Sequence, residues 1–119
     1  MYLFSRVFLF LFSICNCAKH INPSIINMNV LVTGAAGFIG SNLCMLLEEL
    51  SDTLVVGLDN LNAYYDVNIK RWRLEQLTGF RERFVFIKGS IADKSLVDKI
   101  FDEYQPQIVV NLAAQAGVR

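Results

Sequence analysis

The stretch from Val30 to Gly40, VLVTGAAGFIG, constrains the fold more than any other part of this sequence. An apolar run that favours a strand leads into three glycines spaced three residues apart, and a helical pattern follows. Gly34 permits a sharp turn, Gly37 permits close approach to a diphosphate, and Gly40 permits the helix to pack tightly on the strand. The first N–H groups of such a helix attract phosphate. The stretch therefore predicts a dinucleotide-binding turn, with a plain strand-to-helix connection as the alternative.

Beyond residue 28, apolar runs alternate with amphipathic segments. The predicted strands run from Val30 to Val32, from Leu54 to Leu58, from Phe84 to Ile87 and from Ile108 to Leu112. These runs are continuously apolar, which is typical of parallel strands covered on both faces by helices. Right-handed crossovers then give the strand order 3-2-1-4. We predict an α/β fold, a Rossmann-type doubly wound parallel sheet of which residues 29–119 supply the first half only, as βαβαβαβ.

Three helices are predicted between these strands. The first presents one apolar face, made of Ile39, Leu43, Leu46, Leu47 and Leu50. The second begins after Asp66 as its cap and ends at Leu77, with Thr78-Gly79 as its stop signal. The third begins after Asp93 and buries Leu96, Val97, Ile100, Phe101 and Tyr104. We also expect the fourth strand to form an apolar edge of the sheet that no further strand covers.

Asp59 is the second strong signal, because it follows the second predicted strand and lies 25 residues after Gly34. A carboxylate at this position accepts hydrogen bonds from the hydroxyl groups of an adenosine ribose and repels a 2′-phosphate. The next residue, Asn60, is not an arginine that would attract such a phosphate. Asp59 therefore predicts NAD rather than NADP as the cofactor, and a simple turn aspartate is the alternative.

The composition excludes several other classes of protein. The sequence is 54% hydrophobic, 18% charged and formally neutral, and it has no basic tract, so we expect a globular domain that does not bind nucleic acid. The Cys15-Asn16-Cys17 spacing fits neither a redox motif nor a zinc knuckle, Cys44 is expected to be a small buried residue, and no metal site is predicted.

Residues 1–28 form an apolar N-terminal extension that we place outside the fold. Arg6 followed by an apolar run resembles a secretory signal peptide. The competing interpretation is a misassigned start, since Met28 directly precedes the first predicted strand, and NAD is scarce outside the cytosol. We favour the misassigned start and a cytoplasmic protein, with an exported or membrane-anchored protein as the alternative.

Three segments together resemble a known family. The segment from Thr33 to Ser41 is similar to the cofactor motif of the extended short-chain dehydrogenase/reductases, also called the NAD-dependent epimerase/dehydratase family. The segment from Asp59 to Asn68, with Lys70 and Arg73, resembles the segment after the second strand of UDP-glucuronate 4-epimerases. The segment from Leu112 to Arg119 resembles their segment after the fourth strand. The resemblance covers Met28 to Arg119.

The resemblance implies a nucleotide-sugar 4-epimerase that converts UDP-glucuronate to UDP-galacturonate through a 4-keto intermediate, with NAD as hydride carrier, and a homodimeric parent protein. It implies a cofactor site formed by Gly34, Gly37, Phe38, Ile39, Gly40, Asp59, Asn60, Ser90, Ile91, Ala113, Ala114 and Gln115. Tyr64 and Tyr65 are assigned either a role at the cofactor or substrate or simple packing of their loop. Arg119 would suit a sugar carboxylate or a phosphate.

The sequence also departs from the family pattern. The family uses a Tyr-x-x-x-Lys pair as its acid–base group, and no such pair occurs here, so we assign no catalytic residue and expect the chain alone to be inactive. Asn111 stands where a histidine is usual. Ser90 stands where an aspartate usually faces the adenine. A nucleotide-sugar dehydratase, a UDP-galactose 4-epimerase, a non-catalytic NAD-binding module and a translated remnant without function remain as alternatives.

Overall fold

The computed structural model describes residues 28–50, 53–63, 66–80 and 83–114. Four strands alternate with three helices along the chain. The elements are β1 (Val30–Thr33), α1 (Phe38–Leu50), β2 (Val55–Asp59), α2 (Val67–Phe80), β3 (Phe84–Lys88), α3 (Lys94–Tyr104) and β4 (Ile108–Asn111). The predictions for the extension up to residue 27, for Tyr64 and Tyr65, for Gln115 and for Arg119 concern positions outside the described residues.

The four strands form one parallel sheet in the order β3-β2-β1-β4, as the sequence predicted. In register, Val30 pairs with Val55 of β2 on one side and with Ile108 of β4 on the other. The order reverses beside β1, because β2 and β3 lie to one side of it and β4 to the other. The residues that follow β1 therefore lie at the carboxyl end of the strands, at the point where the strand order reverses. Open α/β sheets bind ligands in the crevice at this point.

Alternate strand residues point to opposite faces of the sheet, and each face has its own core. One core joins the sheet to α1 and α2 and contains Val30, Val32, Ala35, Ala36, Cys44, Val55, Leu74, Leu77 and Phe84. The other joins it to α3 and contains Leu31, Val56, Leu58 and Ile100. The expected coverage of β1 and β2 by helices on both faces is therefore confirmed. On β4, which lies at one edge of the described sheet, Ile108 and Val109 are exposed.

Both predicted helix caps are present. Asp66 accepts a hydrogen bond from the Asn68 backbone N–H at 2.8 Å, and Asp93 accepts one from the Leu96 N–H at 3.1 Å. The predicted end of α2 was wrong, because the helix continues past Thr78-Gly79 to Phe80. The Thr78 hydroxyl donates to the Leu74 carbonyl one turn earlier, so the residue is accommodated within the helix.

The predicted buried faces of α1 and α3 were partly wrong. In α1, Ile39 is exposed, and the buried positions are Gly40, Ser41, Cys44 and Glu48. Leu43 and Leu47 of the predicted face are half-buried against the core, whereas the first turn of α1 lies so close to the glycine turn that Gly40 and Ser41 are buried in place of Ile39. Cys44 is fully buried, as predicted. Its pKa is raised to about 12, mainly because burial disfavours the charged thiolate and to a smaller extent because Glu48 is negatively charged. In α3, Ile100 is buried but Phe101 is exposed.

Candidate functional site

The glycine turn after β1 is held by its own backbone and by β2. Gly34 and Ala35 both donate to the Leu58 carbonyl, at 2.8 and 3.3 Å. Gly37 donates to the Gly34 carbonyl at 3.0 Å, and α1 begins at the next residue. The turn thus places the N-terminus of a thirteen-residue helix at the carboxyl edge of the sheet. Partial positive charge at that end of a helix favours an anionic group in the crevice.

Two of the three glycines are required by close backbone contacts. Gly34 has φ +72°, and a Cβ atom there would lie 2.7 Å from the carbonyl carbon and oxygen of Leu112. At Gly40 a Cβ atom would lie 2.1 Å from the Gly34 carbonyl oxygen. Gly40 therefore permits α1 to pack on the glycine turn itself, where the sequence suggested packing on the strand. At Gly37 the only such contact is the Gly34 oxygen at 3.1 Å, so this glycine leaves room beside the turn.

Asp59, at the carboxyl end of β2, reaches the glycine turn. Its Oδ2 accepts a hydrogen bond from the Ala36 N–H at 3.0 Å, and its Oδ1 accepts one from the Leu61 N–H at 2.8 Å. The residue is 8% exposed. Because a carboxylate oxygen can accept more than one hydrogen bond, each oxygen retains capacity for a donor from a ligand. The predicted ribose carboxylate is therefore placed against the predicted diphosphate turn.

A second predicted group follows β2 and β3. Asn60 is exposed, and its Oδ1 accepts from the Asn62 N–H at 3.1 Å, which shapes the loop after Asp59. After β3, the Ser90 hydroxyl accepts from the Ala92 N–H at 3.1 Å, and Ile91 is exposed. Ser90 is thus part of a local turn, and its hydroxyl can still donate to a ligand. Phe38 and Ile39 are also exposed where α1 begins.

The end of β4 is joined to the end of β1 through side chains. The Thr33 hydroxyl donates to Asn111 Oδ1 and accepts from the Ala113 N–H at 3.3 Å. Asn111 therefore acts in this chain as a hydrogen-bonding link between neighbouring strands. Ala113 is half-buried beside the turn, whereas Ala114 is exposed.

Sequence reasoning assigned no role to three residues that shape this site, although it noted Lys70 and Arg73 in the segment that resembles the family. Gly57 in β2 faces the turn, because a Cβ atom there would lie 2.8 Å from Ala35 Cβ and from a ring atom of Phe84. Lys70 and Arg73, three residues apart on one side of α2, reach the loop after β2 and the glycine turn respectively. Gly57 could have been recognised from the sequence, because a glycine inside a continuously apolar strand indicates close approach of another part of the backbone. The i, i+3 spacing of two basic residues was the signal for the others.

The part of the chain that the structure describes was searched for metal-binding clusters and for membrane-spanning helices. Across residues 28–50, 53–63, 66–80 and 83–114, no group of three or more His, Cys, Asp or Glu side chains is arranged to hold a metal ion. Over the same ranges, no helix has both the length and the apolar character needed to span a membrane.

The fold and the turn define a Rossmann-type α/β architecture with a glycine-rich turn at the point where the strand order reverses. A protein-family sequence profile described as GDP-mannose 4,6 dehydratase matches residues 31–119. The chain therefore belongs to that family. UDP-glucuronate 4-epimerase 1 of Arabidopsis thaliana is 48% identical over 92 residues, covering 77% of this chain and 21% of that protein. Protein CapI of Staphylococcus aureus is 45% identical, covering 77% of this chain and 27% of CapI. The chain thus spans about a quarter of the length of these relatives.

Solved structures of an epimerase and of a dehydratase are similar to this chain. UDP-glucuronic acid 4-epimerase from Bacillus cereus, in complex with UDP-glucuronic acid and NAD, superposes with a TM-score of 0.65 at 38% identity. The match covers 77% of this chain and 28% of the epimerase chain. dTDP-glucose 4,6-dehydratase from Bacillus anthracis, in complex with NAD, gives a TM-score of 0.63 at 31% identity, covering 75% and 27% of the two chains.

Proposed function

We propose that this chain binds NAD and forms the NAD-binding part of a nucleotide-sugar 4-epimerase that interconverts UDP-glucuronate and UDP-galacturonate. The proposal rests above all on the hydrogen bond from the Ala36 N–H to the Asp59 carboxylate, which joins the glycine turn to the carboxylate that we propose for the ribose. The relatives and solved epimerase structures described above support the nucleotide-sugar substrate. NAD⁺, when bound, would accept a hydride from C4 of the sugar and return it.

The residues of this chain would hold the cofactor as follows. The turn at Gly34, Gly37 and Gly40 and the start of α1 would face the diphosphate. Asp59 would accept hydrogen bonds from the adenosine ribose, and Ser90 would offer its hydroxyl to the adenine. The full proposed set is Gly34, Gly37, Phe38, Ile39, Gly40, Asp59, Asn60, Ser90, Ile91, Ala113, Ala114 and Gln115. The backbone of the turn is held by hydrogen bonds made within the chain, from Gly34 and Ala35 to the Leu58 carbonyl and from Gly37 to the Gly34 carbonyl.

The first experiment is a calorimetric titration of the purified chain with NAD⁺ and with NADP⁺. A 2′-phosphate about 5 Å from Asp59 would be repelled by about 3 kcal/mol at an effective dielectric constant of about 20, so NAD⁺ should bind about a hundredfold more tightly. Asp59→Asn should narrow that preference, because it removes the charge and keeps one acceptor oxygen. Asp102→Asn, an equivalent change at an exposed position of α3, is the control. Absence of NAD⁺ binding by the wild-type chain would refute the proposal.

The second experiment tests the substrate. Residues 29–114 replace the corresponding segment of the Bacillus cereus epimerase, and the chimera is incubated with UDP-glucuronate while UDP-galacturonate is measured by chromatography. We expect a folded chimera that retains NAD and forms product. A folded chimera that carries NAD but converts no UDP-glucuronate would contradict the epimerase proposal and leave NAD binding intact. The same segment placed in the Bacillus anthracis dehydratase tests the alternative of a 4,6-dehydratase.

We also propose a homodimeric parent protein and a cytoplasmic location, where NAD is abundant. Light scattering after size-exclusion chromatography of the parent protein measures its oligomeric state, and cell fractionation measures its location. A monomer over the micromolar range, or recovery in the membrane or secreted fraction, would contradict these two proposals respectively.

A further inference from the structure

Arg73, in the second turn of α2, contacts the glycine turn at two points. Its Nη1 donates a hydrogen bond to the Ala36 carbonyl at 3.3 Å. Its guanidinium carbon lies 5.7 Å from the centre of the Phe38 ring, within the range of a cation–π interaction. One side chain from a later helix therefore joins the middle of the turn to the first residue of α1.

The contact completes a set of hydrogen bonds around Ala36. The Ala36 N–H donates to Asp59, and the Ala36 carbonyl accepts from Arg73. Because a peptide unit is planar, fixing that carbonyl also fixes the N–H of Gly37, which donates to the Gly34 carbonyl at 3.0 Å. Both peptide units that flank Ala36 are thus held from outside the turn. Gly37 itself has the widest conformational freedom of any residue type and cannot supply this constraint alone.

The position of Arg73 is set by neighbours on the same helix. Lys70 is 8% exposed, and its Nζ donates to the Asn62 carbonyl at 3.2 Å and to Asn62 Oδ1 at 3.0 Å. Leu74 and Leu77 anchor the adjacent face of α2 in the core. The helix is therefore fixed both to the loop after Asp59 and to the sheet, and Arg73 projects from a rigid support.

We propose that Arg73 is a positioning residue for the NAD site, which holds the glycine turn in its ligand-binding shape before the cofactor arrives. This inference rests on the proposed function for its effect on NAD, whereas its effect on the turn is independent of any ligand. A turn that is already ordered avoids a conformational cost on binding, so loss of the constraint should appear as weaker affinity. The planar guanidinium suits this role, since it can donate to a carbonyl and stack on a ring at once.

The test compares Arg73→Met, Arg73→Lys and Arg71→Met with the wild-type chain. Arg71 is exposed on the same helix, so its replacement makes the same change of charge and of side chain two positions away. Amide hydrogen exchange of the peptide covering residues 34–41 is measured without ligand, and NAD affinity is measured by calorimetry. The midpoint of thermal unfolding reports whether each variant is folded.

We expect Arg73→Met to raise exchange in residues 34–41 and to weaken NAD binding, each by about tenfold, as for loss of one charged hydrogen bond. Arg71→Met should match the wild type, and Arg73→Lys should lie between, because lysine keeps the charge but not the fork. Equal exchange in Arg73→Met and Arg71→Met would overturn the proposal. If Arg73→Met does not fold, comparison of Arg73→Lys with Arg71→Lys decides by the same criteria.

The two proposals fail in different ways. If the wild-type chain does not bind NAD, the proposed function is refuted, and the exchange data still decide whether Arg73 holds the turn. If NAD binds equally well to the wild type and to Arg73→Met, the proposed function stands and the role of Arg73 at the cofactor site is refuted.

Discussion

Replacement of Gly34 by alanine should destabilise the chain although alanine is usually the more favourable residue. The backbone at Gly34 has φ +72°, a left-handed conformation that costs an L-residue with a Cβ atom about 1–2 kcal/mol. The added methyl group would also lie 2.7 Å from the carbonyl carbon and oxygen of Leu112 and 2.9 Å from the Ala113 nitrogen. All three are backbone atoms, so no side chain can rotate away.

The size of the effect follows from these two contributions. Overpacking of a close-packed region costs about 1–3 kcal/mol, and together with the backbone strain we expect a loss of about 2–5 kcal/mol in the free energy of unfolding. The clash is relieved only if β1 and the end of β4 separate, which would break the hydrogen bond from the Leu112 N–H to the Thr33 carbonyl. The substitution should therefore also weaken the attachment of β4 to the sheet.

Gly79→Ala provides the matched control. At Gly79, inside α2, a Cβ atom would have no neighbour within 4 Å, and the backbone is compatible with alanine. The same chemical change should stabilise the chain by about 0.5 kcal/mol, chiefly by restricting the unfolded state. The two glycine-to-alanine variants should thus move in opposite directions.

The measurement is urea unfolding followed by far-UV circular dichroism, with linear extrapolation to water. A chain with only a few kcal/mol of total stability will be largely unfolded as Gly34→Ala, which is itself a positive result beside a folded Gly79→Ala. If Gly34→Ala loses less than about 1 kcal/mol, the left-handed backbone or the contact with Leu112 is wrong.

Gly57→Ala should lower both stability and NAD affinity, since its methyl group would press on Ala35 beneath the turn, and calorimetry with NAD checks this against the wild type. Asp93→Ala should cost about 1 kcal/mol in urea unfolding through loss of the α3 cap; no change would contradict the capping geometry. The buried thiol of Cys44, with its pKa raised to about 12, should resist iodoacetamide at pH 8 until the chain unfolds, as peptide mass mapping would show. Because the unfolded thiol loses its proton near pH 9.0, the free energy of unfolding should fall as pH rises from there towards 12.

The strand order and the place of the candidate site were predictable from local sequence. Continuous apolar runs indicate strands buried on both faces, and the handedness of crossovers leaves few ways to connect them. Asp66 and Asp93 marked helix starts because capping depends on residues only two or three positions apart. The three glycines marked the turn because the required backbone conformation and close contacts permit no larger residue at two of them.

The helix faces and the supports of the turn depended on the tertiary structure. The apolar pattern of α1 suggested that Ile39 is buried, yet Ile39 is exposed and Gly40 and Ser41 are buried, because the first turn of the helix packs directly on the glycine turn. Asp59 was correctly placed at a strand end, but its bond to the Ala36 N–H joins positions 23 residues apart. Arg73 reaches Ala36 across 37 residues. Local sequence determines which residues can form a strand, a turn or a cap, whereas contacts between distant residues arise only when the sheet and helices have packed.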